Sequence, residues 1–271
     1  MPAIHEQYSE ELRAEFDYLS SWLPNTHLEL GDVGRLHRDR FERLTSLAEL
    51  GIGFAVRERE RGVDLDYSSA AEVAVSTDAE GGPLARIAVS FSRRHGIVFQ
   101  ARSCRISEIA DREALGRRVL DLAAAGRWPG TQVVVTEVVA TGPAVILVSQ
   151  QQGASIDLSA SAEALSGTIP LASASAGLSI VGSKGVGVKV IAPDGLTPLF
   201  RVSGVRPRLF GRKEFGGRGP AGGTPGSTPG SPVGGSPVGS PVGGTAADRA
   251  AETRTAESHV FAELTYEDVG A

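Results

Sequence analysis

Residues 85–99 read Ala-Arg-Ile-Ala-Val-Ser-Phe-Ser-Arg-Arg-His-Gly-Ile-Val-Phe, and residues 153–160 read Gly-Ala-Ser-Ile-Asp-Leu-Ser-Ala. Both alternate with a period of two, the signature of a strand with one apolar face. In the first, Ile87, Val89 and Phe91 share one side while Ala88, Ser90 and Ser92 share the other. Arg93-Arg94-His95-Gly96 then makes a basic, turn-like break before Ile97, Phe99 and Ala101, so the stretch predicts a hairpin. The second region, Gly153 to Val190, predicts strands of Ala, Ser, Gly and isolated large residues. Ile156 and Leu158 come first, Leu171 to Ala176 follow, then Leu178 and Ile180, and finally Val186, Val188 and Val190.

Two architectures carry this pattern. One is a half-exposed antiparallel sheet. The other is a set of strands that pack in a water-soluble fold and later cross a bilayer. Such a strand needs about 9–11 residues and no long apolar run. Small Ser and Ala residues on the second face suit a water-filled lumen.

Working outward, Ile4, Tyr8, Leu12, Phe16, Leu19 and Leu23 recur at helical spacing and predict a helix over 4–23. Ser46, Glu49 and Gly51 carry the signals of a short capped helix over 46–50. A further helix is predicted over 111–125, with Leu115, Val119 and Leu122 as its buried stripe. Val133 to Val139, Ala144 to Ser149, Val186 to Ile191 and Leu199 to Val205 read as strands. The expected class is α+β: a twisted, mostly antiparallel sheet with a few flanking helices. After Phe215 the texture changes. Residues 216–245 are a Gly/Pro/Ser-rich flexible linker, and 246–271 form an acidic tail in which Val260, Phe261, Leu264 and Tyr266 make an apolar docking patch.

Composition excludes several functions. A net charge of −5 argues against a general nucleic-acid binder. One cysteine, Cys104, rules out a disulfide framework and a multi-cysteine metal site. The five histidines form no metal-like pair, and no nucleophile elbow or phosphate loop is present, so neither catalysis, metal nor cofactor is expected. The longest apolar run, Val138 to Val148, is interrupted by Thr141, Gly142 and Pro143 and falls far short of a spanning helix. With no signal-like N-terminus, the expected location is the cytoplasm. Two basic clusters, one at Arg93 and Arg94 and one at Arg206 and Arg208, are candidates for anionic lipid headgroups.

The stretch from Ser103 to Val205 resembles the pore-forming domain of gasdermins. The resemblance lies in element order. A short helical segment (Gly116 to Gly130) precedes Val134-Val135-Thr136-Glu137-Val138. Two Gly/Ser-rich amphipathic strands follow, at Gly153 to Leu158 and Ala176 to Ser179, and then a strand bearing Phe200-Arg201-Val202. The resemblance implies a pore-forming domain over 1–215 that is held inactive by its C-terminal part. An activating protease would cut near Arg212, Lys213 or Arg218. The freed domain would oligomerise with itself in membrane lipid of the inner membrane, in a bacterial setting as antiphage cell death. The membrane-inserting positions are then Ile87, Val89, Phe91, Ile97, Phe99, Ile156, Leu158, Leu178, Ile180, Val186, Val188 and Val190. Two other readings stand beside this one: a scaffold that presents the acidic tail to a partner on a flexible tether, and a β-rich domain that binds a small molecule.

Overall fold

The computed structural model describes residues 3–37, 40–77, 84–161, 170–207 and 259–263. Helix α1 (Ile4–Phe16) leads into β1 (Leu19–Ser20), β2 (Asp32–His37), β3 (Arg40–Ser46), β4 (Val56–Ser69) and β5 (Ala71–Thr77). Then come β6 (Leu84–Phe91), β7 (Ile97–Ile109), α2 (Arg112–Ala124), β8 (Val133–Ala140), β9 (Ala144–Ser149) and β10 (Ala154–Ser161). The chain continues through α3 (Pro170–Ala174), β11 (Ser179–Lys184), β12 (Val186–Ala192), β13 (Leu199–Pro207) and β14 (His259–Glu263). This is an α+β fold with a mostly antiparallel sheet.

The strands form two sheets. A ten-stranded sheet has the order β1-β13-β8-β7-β9-β12, with β2 beside β8, β3 beside β2, β4 beside β7 and β14 on β13. A four-stranded sheet has the order β11-β10-β6-β5. All six residues of β9 are buried, because both faces are covered. On one face Ile97, Phe99, Ile146 and Val148 pack with Tyr8 and Leu12 of α1. On the other, Val98, Val145 and Leu147 pack with Ile87, Val89, Phe91, Ile156 and Leu158 of the small sheet. A third cluster seats α2 through Leu115 and Val119, and the Asp111 side chain caps that helix by accepting from the Ala114 N–H at 2.8 Å.

Several expectations need correction. The N-terminal helix stops at Phe16 rather than Leu23. Asp17 adopts a left-handed conformation (φ 58°) and the chain turns so that Leu19 and Ser20 can pair with β13. Ser46 ends β3 and residues 47–50 form a turn, with no helix. The Glu49 N–H does bond to Ser46 Oγ, but Gly51, at φ 70°, follows too soon for a second turn. Leu171 to Ala176, expected as a strand, contains the helical turn α3 and a following 3-10 turn; its alanines favour helix and Pro170 starts it. The expected hairpin between β6 and β7 does not exist, because the two strands lie in different sheets. Within the stretch read as a tail, β14 belongs to the same compact unit as the chain up to Arg206.

One row of charges crosses the large sheet. Arg57 lies opposite Glu108, Glu108 opposite Glu137, and Glu137 opposite Arg201. Glu137 is fully buried and accepts from Arg112 at 2.8 Å, from Arg59 at 3.3 Å and from Tyr18 Oη. Arg112 also reaches Glu108 at 3.0 Å, and the Arg201 guanidinium sits 4.5 Å above the Tyr18 ring. Burial, followed by the hydrogen bond to Glu137, pushes the Tyr18 phenol well above its usual range. Removing a buried carboxylate from such a network strands its partners. Glu137→Ala should cost about 3–5 kcal/mol in urea unfolding. Arg117→Ala, which breaks an exposed pair on α2, should stay within about 0.5 kcal/mol.

Candidate functional site: the fold line between the sheets

The two sheets are one set of strands folded over. In the large sheet β4, β7, β9 and β12 are neighbours in that order; in the small sheet the order is β5, β6, β10 and β11. Each small-sheet strand joins its large-sheet counterpart directly in the chain, across Ala70, Ser92–Gly96, Gln150–Gly153 and Gly185. Every one of these four crossings contains a residue with positive φ: Ala70 (46°), His95 (59°), Gly153 (70°) and Gly185 (68°). Ala adopts that conformation only where surrounding contacts hold it, whereas His enters it more readily. A Cβ on Gly185 would also come within 2.5 Å of the Gln151 side chain.

Hydrogen bonds run along this line. Ser92 N–H donates to Ala70 O at 3.1 Å, and the Ile97 N–H donates to Ser69 Oγ at 3.0 Å. Ser149 Oγ accepts from the Gly96 N–H at 2.8 Å and donates to Arg93 O at 3.1 Å. Gln150 N–H reaches Gly185 O at 2.7 Å.

Helix α1 is latched to the line. Glu11 accepts from Gln7 at 2.8 Å, from Tyr67 Oη at 2.9 Å and from Arg93, which also donates to Ser69 Oγ at 2.9 Å. His95 is buried, with Nδ1 3.3 Å from Gln7 Oε1. At the open end of the fold, the Leu171 N–H donates to Gln100 at 3.1 Å and Arg102 donates to Ser173 at 2.7 Å, so α3 straps the small sheet down.

The small sheet is amphipathic. On β6 the burial alternates strictly, with Ile87, Val89 and Phe91 inside and Arg86 and Ser90 outside. On β10 Ile156 and Leu158 face in, while Asp157 faces out. Cross-strand rows extend the apolar side: Ile87, Leu158 and Ile180 are successive partners, and Val89 pairs with Ile156. Ile180, on the outer strand, is 47% exposed.

The residues expected to insert therefore divide. Ile87, Val89, Phe91, Ile156 and Leu158 lie in the folded-over layer, with Ile180 on its edge and Leu178 just before β11. Ile97, Phe99, Val186, Val188 and Val190 lie in the large sheet, the first two at its centre under α1. Of the expected headgroup residues, Arg93 is tied to Glu11, Arg94 donates to Gln150 O at 3.1 Å, and Arg206 is half-buried near the end of β13. Arg208, Arg212, Lys213, Arg218, Leu264 and Tyr266 lie outside the described residues. Val260 and Phe261 fall on β14, whose backbone pairs with β13 and runs beside α2. Sequence reading missed Glu11, Tyr67 and Ser69 as latch residues. It missed Ala70 as a crossing too, and an alanine between two strands gives no turn signal.

Cys104 is buried, which pushes its thiol up to about 12 and keeps it unreactive. Among the described residues no group of three or more His, Cys, Asp or Glu is gathered as for a metal ion. A pocket of about 160 Å³ at the start of α2, between Phe54 and Leu115, is smaller than the ~300 Å³ that ligand sites usually reach. Among these residues no helix is long and apolar enough to cross a membrane, which leaves strands untested.

The latch titrates in one direction. Burial, then Arg94 and Arg93, hold the His95 imidazole below its usual 6.5. Because the unfolded chain takes up that proton first, stability falls as pH drops below 6.5. Burial pushes Glu11 up, but its hydrogen bonds from Ser69, Gln7 and Tyr67 and the Arg93 charge outweigh it and leave the carboxyl below 4.5; its share of stability is lost below that value. The thermal midpoint should thus fall from pH 7.5 to pH 5, and His95→Asn, which tolerates the left-handed backbone, should flatten that fall. An equally steep profile in the variant would rule out His95 as its source. Neither a protein-family model nor a curated protein sequence matches the chain.

Proposed function

We propose that the chain is a gasdermin-like pore former whose inserting element is the small sheet, released by straightening the four crossings. The fold line carries this reading, because four neighbouring strands bend together, in the same order, at four positive-φ residues. Straightened, each small-sheet strand and its large-sheet counterpart become one continuous strand, antiparallel to its neighbours. β6 and β10 supply 8 residues each, close to the ~9–11 that a bilayer requires. Their apolar side would meet lipid and their Ser- and Ala-rich side a lumen. A closed ring of such strands leaves no edge unpaired in the bilayer.

Magnitudes place the barrier. Exposing Ile87, Val89, Phe91, Ile156 and Leu158 to water costs about 8–15 kcal/mol, at ~1.5–3 kcal/mol per side chain. That equals the whole stability of a typical domain. Opening in water is therefore prohibitive, and lipid must replace the large sheet as the apolar partner. In this reading the protease cuts near Arg212, Lys213 or Arg218, the tail is the restraint held on β13 through β14, and the protein passes from cytoplasm to inner membrane to kill an infected cell. The scaffold alternative draws on the same tether and predicts indifference to lipid.

The test uses the full chain with a site-specific protease sequence inserted in the 216–245 linker. Cleavage in the presence of phosphatidylglycerol vesicles should release trapped dye, and the uncut chain should not. Ile180→Arg separates insertion from folding. The residue is already half-exposed, so stability should change by less than about 1 kcal/mol. A cation in the lipid-facing row costs about 2–4 kcal/mol per copy, so release should be lost. Unchanged release by this variant, or no release by any cut chain, would refute the reading.

A further inference from the structure

Strand β13 has two edges. One pairs with β8 along Leu199 to Gly204. On the other, β1 covers only Leu199 and Phe200. β14 also pairs with β13, whose second edge is open to it from Arg201 to Pro207, and α2 runs beside it. This is strand addition, in which an extended peptide completes a sheet edge through main-chain hydrogen bonds. The occupant comes from far along the chain. Residues 208–258 separate the two strands in sequence, and their Gly-, Pro- and Ser-rich composition is that of a tether.

Charge matches the seat to its occupant. Arg112 is taken up by Glu108 and Glu137. Beyond it, α2 and β13 carry Arg117, Arg118, Arg201 and Arg206 against Glu113 and Asp121. Residues 257–268, which contain β14, carry Glu257, Glu263, Glu267 and Asp268 and no lysine or arginine. The whole chain is acidic at −5, so this basic seat is not an effect of overall composition.

Two quantities decide how firmly β14 sits. The strand itself has five residues, and isolated two-stranded pairings are marginal in water. The tether supplies the rest. A Gly-rich coil of about 50 residues spans about 35–42 Å and holds its end at an effective concentration of the order of mM. A strand kept in place mainly by its tether is exchangeable, because a longer strand of the same kind makes more main-chain bonds to the same edge.

We infer that the β13 edge beside α2 is an exchangeable seat for an extended acidic peptide, and that a foreign protein presenting such a strand displaces β14 with the linker uncut. This adds release by a partner to release by a protease. Exchange at the seat stands without the pore; only its consequence for a membrane rests on the reading above.

The experiment follows the fluorescence anisotropy of a labelled peptide, residues 255–268, added to three forms of the full chain. One is uncut. One is cut in the 216–245 linker and dialysed free of its tail. The third is uncut and carries V260P/F261P. Adjacent strand residues aim their N–H groups at opposite edges, so prolines at both positions remove the donor that faces β13 in any register. The peptide should bind the cut chain with a Kd below about 1 mM, the effective concentration that the tether provides, and the V260P/F261P chain equally well. The uncut chain should bind at least about fivefold more weakly, since a tail seated about four-fifths of the time leaves about one-fifth of the molecules open. A peptide carrying the same two prolines should not bind, and raising salt from about 0.05 to 0.5 M should weaken binding several-fold by screening the arginines. No binding to either opened chain, equal affinity for cut and uncut chains, equal binding of the proline peptide, or indifference to salt overturns the inference. Phosphatidylglycerol vesicles separate this seat from the pore: excess peptide should make the uncut chain release trapped dye. Exchange without release, by peptide or by cleavage, leaves the seat standing and removes the pore. Release on cleavage without exchange does the reverse.

Discussion

Everything in this structure depends on the apolar contact between the small sheet and the strands it continues. Ile87, Val89, Phe91, Ile156 and Leu158 would be a water-facing stripe if the four crossings were straight. Folded over, they complete a core with Val98, Val145 and Leu147. That contact explains why β9 lacks alternation. It also explains why α3 closes the open end of the fold, and why a residue as unsuited to positive φ as Ala70 sits at a crossing. Strain at the crossings is small beside the burial it permits: about 1–3 kcal/mol for each such residue, against roughly ten for the core.

Two polar systems hold the rest in register, and they do different work. The row through Arg57, Glu108, Glu137 and Arg201 ties four strands of the large sheet to the starts of α2 and β1, so the scaffold keeps its shape. The latch through Glu11, Arg93, Tyr67 and Ser69 ties α1 to the crossing itself. The first is buried at its centre and the second is partly exposed. A change in conditions therefore reaches the latch first.

How much of this was legible in the sequence varies by element. The period-two runs at 85–91 and 154–160, the apolar strands at 133–139 and 144–149, and the helix capped by Asp111 follow from local pattern and appear in the structure at nearly the expected places. The partner of each strand was not legible. Arg93 to Gly96 has the composition of a hairpin turn, yet the chain passes through it from one sheet to another, because pairing is decided by residues far apart in sequence. The charged start of strand β4 was not legible: Arg57 to Arg61 alternate signs with no apolar face, and their position is set by Glu108 and Glu137 across the sheet. Glu137 stood inside the Val-Val-Thr-Glu stretch as a family marker, and only the row of facing residues gives it a physical role. Arg93, expected to meet lipid, spends its charge on Glu11, a residue 82 positions away.

The central claim is that the four crossings straighten, and a distance across one of them tests it most directly. Spin labels at Arg86 on β6 and Arg105 on β7 sit on exposed positions at the far ends of two arms that meet near His95. Folded over, with arms of seven and nine residues at ~3.3 Å per residue, the separation stays below about 40 Å even for a right-angle crossing. Straightened, it approaches about 60 Å. Double electron–electron resonance on the linker-cleaved chain should show the shorter distance in buffer and the longer one on phosphatidylglycerol vesicles. A single short distance in both, under conditions where dye escapes, would contradict the account.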